Sequence, residues 1–315
     1  MRWLKNLVRL TLLVLVTIGI WHTIGRAIED LRAQEFELSQ IRPGYLLAAG
    51  LCYLAGLLPC WWFWHRTLQA MGQRPTCRET LRAFYIGHLG KYVPGKALVV
   101  VLRTDLVRSP RVSTSVAATS VFVETLTMMG MGAFIAAALL AALFREHVWL
   151  IVLALGLMIA AVAPTLPPVF RGLVRLVGVR RVDPDIDAAL AGLDYRLMSL
   201  GWITVAAGWC LLGVSLWLVL QANGAPVTFT PHDLALVTAC VALAIVAGFL
   251  SLLPGGIGIR EFVVMTLLAQ PFGAGVAAIS AILLRLVWLL GEVLLAGVLY
   301  VWRPPAEQME VQEST

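Results

Sequence analysis

The stretch Leu253-Pro254-Gly255-Gly256-Ile257-Gly258-Ile259-Arg260-Glu261 interrupts an apolar run and cannot be one continuous helix. Pro254 lacks a backbone donor and clashes with the preceding turn, and the glycines favour open or left-handed backbone. An arginine and a glutamate follow where an apolar run of this kind should still lie in lipid. Broken backbone at membrane depth survives only where protein buries it or a wet cavity borders it. Ionisable side chains at that depth are costly and usually functional.

Composition sets the context for that break. The chain of 315 residues is 60% hydrophobic and 13% charged, against about 25% charged in an average soluble domain. With a mean hydropathy of +0.85, this defines an all-α integral membrane protein and excludes a soluble domain. No stretch between the apolar runs could fold as a separate globular unit, so residues 1–302 read as one membrane domain and 303–315 as a polar tail. Cys52, Cys60, Cys77, Cys210 and Cys240 are scattered and form no CxxC pair; neither a disulfide framework nor a metal site is expected.

In chain order, Leu7 to Ile24 is expected to be an uncleaved first helix, because no small-residue cleavage pattern follows it. A second helix is expected from Tyr45 to Trp64. Phe84 to Lys96 and Ala97 to Leu102 are each too short to span, and Pro94-Gly95 lies between them. They predict a re-entrant hairpin. Long helices follow over Ser113 to Phe144 and Val148 to Ala163. Asp183 reads as an N-cap and Pro184 as a first helical residue, with Ile186, Leu190, Leu193 and Leu197 at helical spacing. That pattern fits a short helix on the membrane surface, or equally one packed under the bundle. Trp202 to Leu220 spans. Leu234 to Leu253, the opening motif and Phe262 to Leu268 form a second hairpin, and Ala274 to Trp302 is the last helix.

With the N-terminus in the cytoplasm, sixteen of the 24 basic residues, Arg82 and Arg103 among them as loop cations, fall on the inner side and four outside. This bias supports that orientation, with both termini cytoplasmic. The four remaining cations, Lys91, Lys96, Arg260 and Arg285, lie at membrane depth. Six spanning helices and two hairpins result, and residues 148–302 repeat 1–144 upside down. Gly/Pro-interrupted segments at matching positions of two halves point to a transport site at their interface.

Helix ends meeting near mid-membrane suit phosphate or carboxylate. Lys91, Lys96, Arg260 and Arg285 supply positive charge there, and Glu124, Glu261, Glu292 and Asp105 supply negative. Blander readings stand beside these. Arg285 and Glu292 lie seven residues apart on one helix and could simply pair. Lys96 could snorkel to the interface.

Gly90-Lys91-Tyr92-Val93-Pro94-Gly95-Lys96 and Leu253 to Glu261 resemble the two hallmark segments of the lysylphosphatidylglycerol synthetase transmembrane family. That is the flippase half of the bacterial multiple peptide resistance factor. The resemblance runs from about Leu7 to Trp302 and implies a lipid flippase fold in a bacterial or archaeal membrane. The chain stops at Thr315, without the aminoacyl-transferase domain of the two-part protein, so a stand-alone member unable to charge a lipid is expected. Stand-alone members are linked to several lipid pathways, including glycolipid and polyprenyl-linked glycan export.

The leading expectation is therefore a lipid translocator, not an enzyme, in the bacterial cytoplasmic membrane. It would move a phospholipid, an aminoacyl-lipid or a polyprenyl-linked lipid between leaflets. Its headgroup site would comprise Lys91, Tyr92, Pro94, Gly95, Lys96, Pro254, Gly255, Gly256, Gly258, Arg260, Glu261 and Arg285. Glu124 and Glu292 would serve in coupling or ion pairing. No cofactor, nucleotide or nucleic-acid partner is expected, since no GxxxxGK[ST] loop is present. A partner enzyme or a homo-oligomer is compatible with the sequence. The alternative is a membrane scaffold for a lipid- or glycan-modifying enzyme, docking through the basic segment Arg171 to Arg196. A glycosyltransferase using Glu29-Asp30 is the weaker alternative.

Overall fold

The computed structural model describes residues 41–93, 97–143, 148–181 and 183–302, together with Ile18. Among these residues the regular structure is helical, apart from an isolated bridge between Ser109 and Val112. The expected first helix, Leu7 to Ile24, lies outside the described residues apart from Ile18, as do Glu29-Asp30, Pro94-Gly95-Lys96 and the tail.

Among the described residues five helices are long and apolar enough to cross a membrane: α1 (Pro43–Ala70), α4 (Thr114–Leu143), α8 (Tyr195–Ala222), α9 (Pro231–Leu250) and α11 (Ala274–Val301). A sixth crossing arises if α5 (Val148–Val162), its 3-10 extension and α6 (Pro167–Val177) form one span, bent by 65°. Pro164 and Pro167 account for the bend, since neither can continue the preceding turn.

Between α1 and α4 lie the two short arms foreseen from the sequence. They are α2 (Cys77–His88, 12 residues) and α3 (Ala97–Val107, 11 residues). At 1.5 Å per residue each is under about 20 Å, short of a roughly 30 Å hydrocarbon core. Thr76 and Glu79 form a reciprocal capping box that fixes the start of α2. The arms touch closely: a Cβ on Gly90 would lie 2.8 Å from the backbone nitrogen of Val99.

The second hairpin differs from this pattern. Its first arm, α9, has 20 residues and reaches spanning length on its own. Pro231 at the first turn and Thr230 capping Asp233 start it early, and nothing polar stops it before Leu250. Its return arm, α10 (Ile259–Phe272, 14 residues), is short.

Helices α1 and α8 form the widest contact and cross at their midpoints. There a Cβ on Gly208 would lie 2.6 Å from the carbonyl oxygen of Gly56. The small residues of α4 also seat neighbours from the same chain. Gly130 faces the Ala161 carbonyl of α5, and Gly132 faces the ring of Trp209 on α8.

Contacts sort the loops into two ends. At one, Arg74 N bonds Arg111 O (3.3 Å), Ser115 donates to Asp183, and Gly192 abuts the Ala70 carbonyl. At the other, Arg42 N bonds Ala222 O (2.9 Å) and Asn223 bonds Ser280 (2.7 Å). The α2–α3 hairpin opens at the first end and α9–α10 at the second.

Two expectations are corrected, and between two open alternatives the structure selects one. Asp183 does not cap a helix; it accepts from Ser115 and from the Asp185 amide, and α7 (Ile186–Ala191) is only six residues. Ile186, Leu190 and Leu193 are each 1% exposed, so their spacing records packing under the bundle rather than on a membrane surface. The helix that does carry exposed apolar side chains is α6, with Leu176 83% and Val177 79% exposed. Finally, Arg82 and Arg103 are not loop cations. Both are buried, because the hairpin arms continue past the positions where the apolar runs end.

Candidate functional site

The break after α9 is held by backbone geometry. Leu252 has φ of 58°, a left-handed conformation that a leucine seldom takes. A 3-10 turn covers Pro254–Gly256, with Gly255 and Gly256 at φ of 59° and 71°. Space makes the same demand at these two glycines. A Cβ on Gly255 would lie 3.1 Å from the ring of Tyr92, and one on Gly256 would lie 2.8 Å from Arg260 Nε. The tips of the two hairpins thus touch, Tyr92 of the first against Gly255 of the second.

Where they touch, a cleft opens, with a void of about 520 Å³ including its mouth. Lys91, Tyr92, Gly255, Arg260, Glu261 and Arg285 form its polar wall. Val241, Ile245, Val264, Leu284 and Trp288 form its apolar wall. Helix α10 begins at the cleft, so the positive end of its dipole lies there.

Of the three cations that line the cleft among the described residues, two are matched. Arg285 Nη1 donates to Glu261 Oε1 at 2.8 Å, and the other carboxylate oxygen accepts from the Gly258 amide at 2.7 Å. Lys91 Nζ donates to Glu292 Oε1 at 2.5 Å. Glu292 is 1% exposed and also accepts from Tyr53 and, at 3.0 Å, from Tyr92. His88 Nε2 stands 3.6 Å from it. Tyr53 stacks on Trp288 at 4.3 Å, whose indole N–H donates to Ser215, so the carboxylate sits in a rigid frame.

Arg260 is different. Its stem passes between Gly248 and Gly256, where a Cβ on Gly248 would lie 2.7 Å from Arg260 Cγ. It takes part in no ion pair among the described residues, and its buried Nε finds no acceptor. Nη2 of Arg285 is likewise buried without an acceptor. Leaving a buried donor unmet costs roughly 1–3 kcal/mol, and more for a charged group.

A third ion pair lies outside the cleft. Arg103 Nη1 donates to Glu124 Oε2 at 2.6 Å, and the guanidinium lies over the rings of Phe84 (4.1 Å) and Trp64 (5.5 Å). Arg103 Nε and Glu124 Oε1 have no further partner.

The structure brings Lys91, Tyr92, Gly255, Arg260, Glu261 and Arg285 together around one cleft. Gly256 and Gly258 serve the same site by clearing Arg260 and by donating to Glu261. Pro254 makes the break. Glu124 lies apart, paired with Arg103. Asp105 is exposed on α3 and does not line the cleft. Arg285 and Glu292 do not pair with each other; each finds its partner on a hairpin. The sequence reading passed over Tyr53, His88, Gly248 and Trp288. Tyr53 carried the one usable signal, a phenol deep inside an apolar helix. Among the described residues no group of three or more His, Cys, Asp or Glu is placed to hold a metal ion.

An all-α polytopic membrane protein whose two helix breaks meet at a charged cleft is the class that fold and site define. The family model for the transmembrane region of lysylphosphatidylglycerol synthase matches residues 6–296, and the chain belongs to that family. A search of curated proteins gave no match.

Proposed function

We propose that this protein is a lipid translocator that carries an amphipathic lipid between the leaflets of a bacterial cytoplasmic membrane. The observation that carries the reading is Arg260, a cation at the meeting point of two hairpin tips that has no counter-ion among the described residues. A headgroup phosphate entering the cleft would meet Arg260 first, with Lys91 and Arg285 beside it. The apolar wall around Trp288 would take the start of the acyl or prenyl chain.

In this reading both hairpins are re-entrant and the halves 1–144 and 148–302 form an inverted repeat within one membrane domain. Two observations support the repeat. Helices α1 and α8 have equal lengths of 28 residues and cross midpoint to midpoint. In each half, the helix after the hairpin pairs with the hairpin's return arm, as Arg103–Glu124 and as Glu261–Arg285 with the signs exchanged. Tyr92 against Gly255 is then the closed gate, and separating the tips opens the cleft to one face at a time. The end carrying Arg74, Arg111, Arg175 and Arg180 would face the cytoplasm. No bond is made or broken, and the partners are membrane lipids.

The test is leaflet exchange of labelled lipids in proteoliposomes. The reading expects exchange above empty liposomes that is lost in Arg260→Gln. Unchanged exchange in that variant would remove the site assignment. Folded protein that exchanges no lipid at all would remove the translocator itself.

A further inference from the structure

We propose that the cleft selects lipids whose headgroup presents an anionic phosphodiester and carries no ammonium group. The proposal deepens the translocator reading and rests on it for context, but its argument is charge matching within the cleft.

Lys91, Arg260 and Arg285 face two carboxylates, Glu261 and Glu292. Each carboxylate is already engaged through both oxygens. Glu261 receives Arg285 and the Gly258 amide, and Glu292 receives Lys91, Tyr53 and Tyr92. A headgroup ammonium entering this cleft would have to share a carboxylate oxygen that already accepts from a cation or a backbone amide, and would stand against Arg260, a like charge in low-dielectric surroundings. Glu124 cannot receive it either, because that carboxylate is sealed beside Arg103 outside the cleft.

An anion finds the opposite. Arg260 Nε and Arg285 Nη2 are unmet donors on two cations that line the same cleft. A phosphodiester has two non-bridging oxygens and one negative charge, which can take one donor from each guanidinium and neutralise the excess cation. Gly248 and Gly256 fix the Arg260 stem on both sides, so that donor is held in place before a ligand arrives. Two kinds of lipid present this chemistry: a glycerophospholipid with an uncharged polar head, and a polyprenyl phosphate esterified to a sugar. An aminoacylated or zwitterionic glycerophospholipid presents the phosphodiester with the excluded ammonium.

The experiment is calorimetric binding of short-chain lipids to the full chain in detergent, paired with leaflet exchange of their long-chain forms. The probes are dihexanoyl phosphatidylglycerol, its lysyl ester, dihexanoyl phosphatidylcholine and a short-prenyl phosphosugar. At least one of the two amine-free anions is expected to bind ten-fold or more tightly than the lysyl ester and phosphatidylcholine. The tighter of those two names the source. Arg260→Gln should level the series. Gly248→Ala displaces Arg260 without removing charge and should level it too. Equal or tighter binding of the ammonium-bearing lipids overturns the selectivity. So does failure of both amine-free anions to bind above phosphatidylcholine. Preferred exchange of the ammonium-bearing lipids overturns the selectivity and leaves translocation standing. Selective anion binding with no exchange of any lipid supports the selectivity and overturns translocation.

Discussion

On the return arm of the first hairpin, Arg103 pairs with Glu124 of the next helix, and the two side chains are 3% and 2% exposed. On the return arm of the second, Glu261 pairs with Arg285 of the next helix at 15% and 14%. The two pairs share a place in the fold and differ in what surrounds them. Aromatic rings cover Arg103, whereas Glu261 and Arg285 border a cleft. A sealed pair holds a hairpin to its neighbour and has no room for a visitor. An open pair keeps its charges within reach of a ligand, and beside it Arg260 has no opposite charge among the described residues. One half of the bundle therefore reads as anchor and the other as receptor.

Breaking the sealed pair should produce the largest effect. Arg103→Leu leaves Glu124 charged and buried, and loss of one partner of such a pair costs roughly 3–5 kcal/mol. Thermal unfolding in detergent should show a large drop. The double change Arg103→Leu with Glu124→Leu should recover most of it, since a buried pair contributes little net stability over apolar packing. Arg285→Leu should cost clearly less, because water can reach Glu261. A drop as large as that of Arg103→Leu would erase the distinction between the halves.

Next come the phenols around Glu292. Tyr53→Phe and Tyr92→Phe each remove a donor to a buried carboxylate, worth roughly 1.5–3 kcal/mol for a bond to a charged group. Tyr92 also faces Gly255, so its variant should change exchange rates as well as stability. Tyr53 lies behind Lys91 and should change stability and leave the exchange preference among lipids alone. If both variants altered that preference alike, Glu292 would belong to the headgroup site and not to its frame.

What could be read in advance follows from how local each cause is. Pro254, Gly255 and the shortness of the α2 and α3 arms announce their own breaks, because φ limits and helix rise act within a few residues. Partner choice does not. Arg285 and Glu292 share a helix face, yet seven residues separate them by about 10 Å along the axis. Glu261 and Lys91, supplied by hairpins far away in sequence, are nearer. Arg103 looked like a loop cation because an apolar run ends before it; only the packed structure reveals Glu124 waiting for it. Gly248 gave no signal at all, being one glycine in an apolar helix whose significance is the arginine lying across it.

That arginine gives the third test. Gly248→Ala puts a methyl group 2.7 Å from Arg260 Cγ, too close for both to stay, and helix propensity at an internal position favours alanine. Stability should therefore change little. Exchange should fall about ten-fold, equivalent to roughly 1.4 kcal/mol. Normal exchange in a folded Gly248→Ala protein would show that the position of Arg260 between the two glycines is incidental to the receptor half.

The smallest effect belongs to a pair at the surface. Arg111 Nη2 donates to Glu79 Oε1 at 2.7 Å, with Arg111 half exposed at the open end of the first hairpin. Pairs of this kind contribute about 0–1 kcal/mol. Arg111→Ala should leave unfolding and exchange almost unchanged. Glu79→Ala removes the same ion pair and also the acceptor for the Thr76 amide, so it opens the capping box of α2. It should cost more than Arg111→Ala, by about 1 kcal/mol, a typical value for a lost helix cap. Thermal unfolding of the two variants side by side separates cap from ion pair. If Arg111→Ala were the more damaging, the first hairpin would be held by charge at its exposed end as well as at Arg103, and the anchor would extend along its whole length.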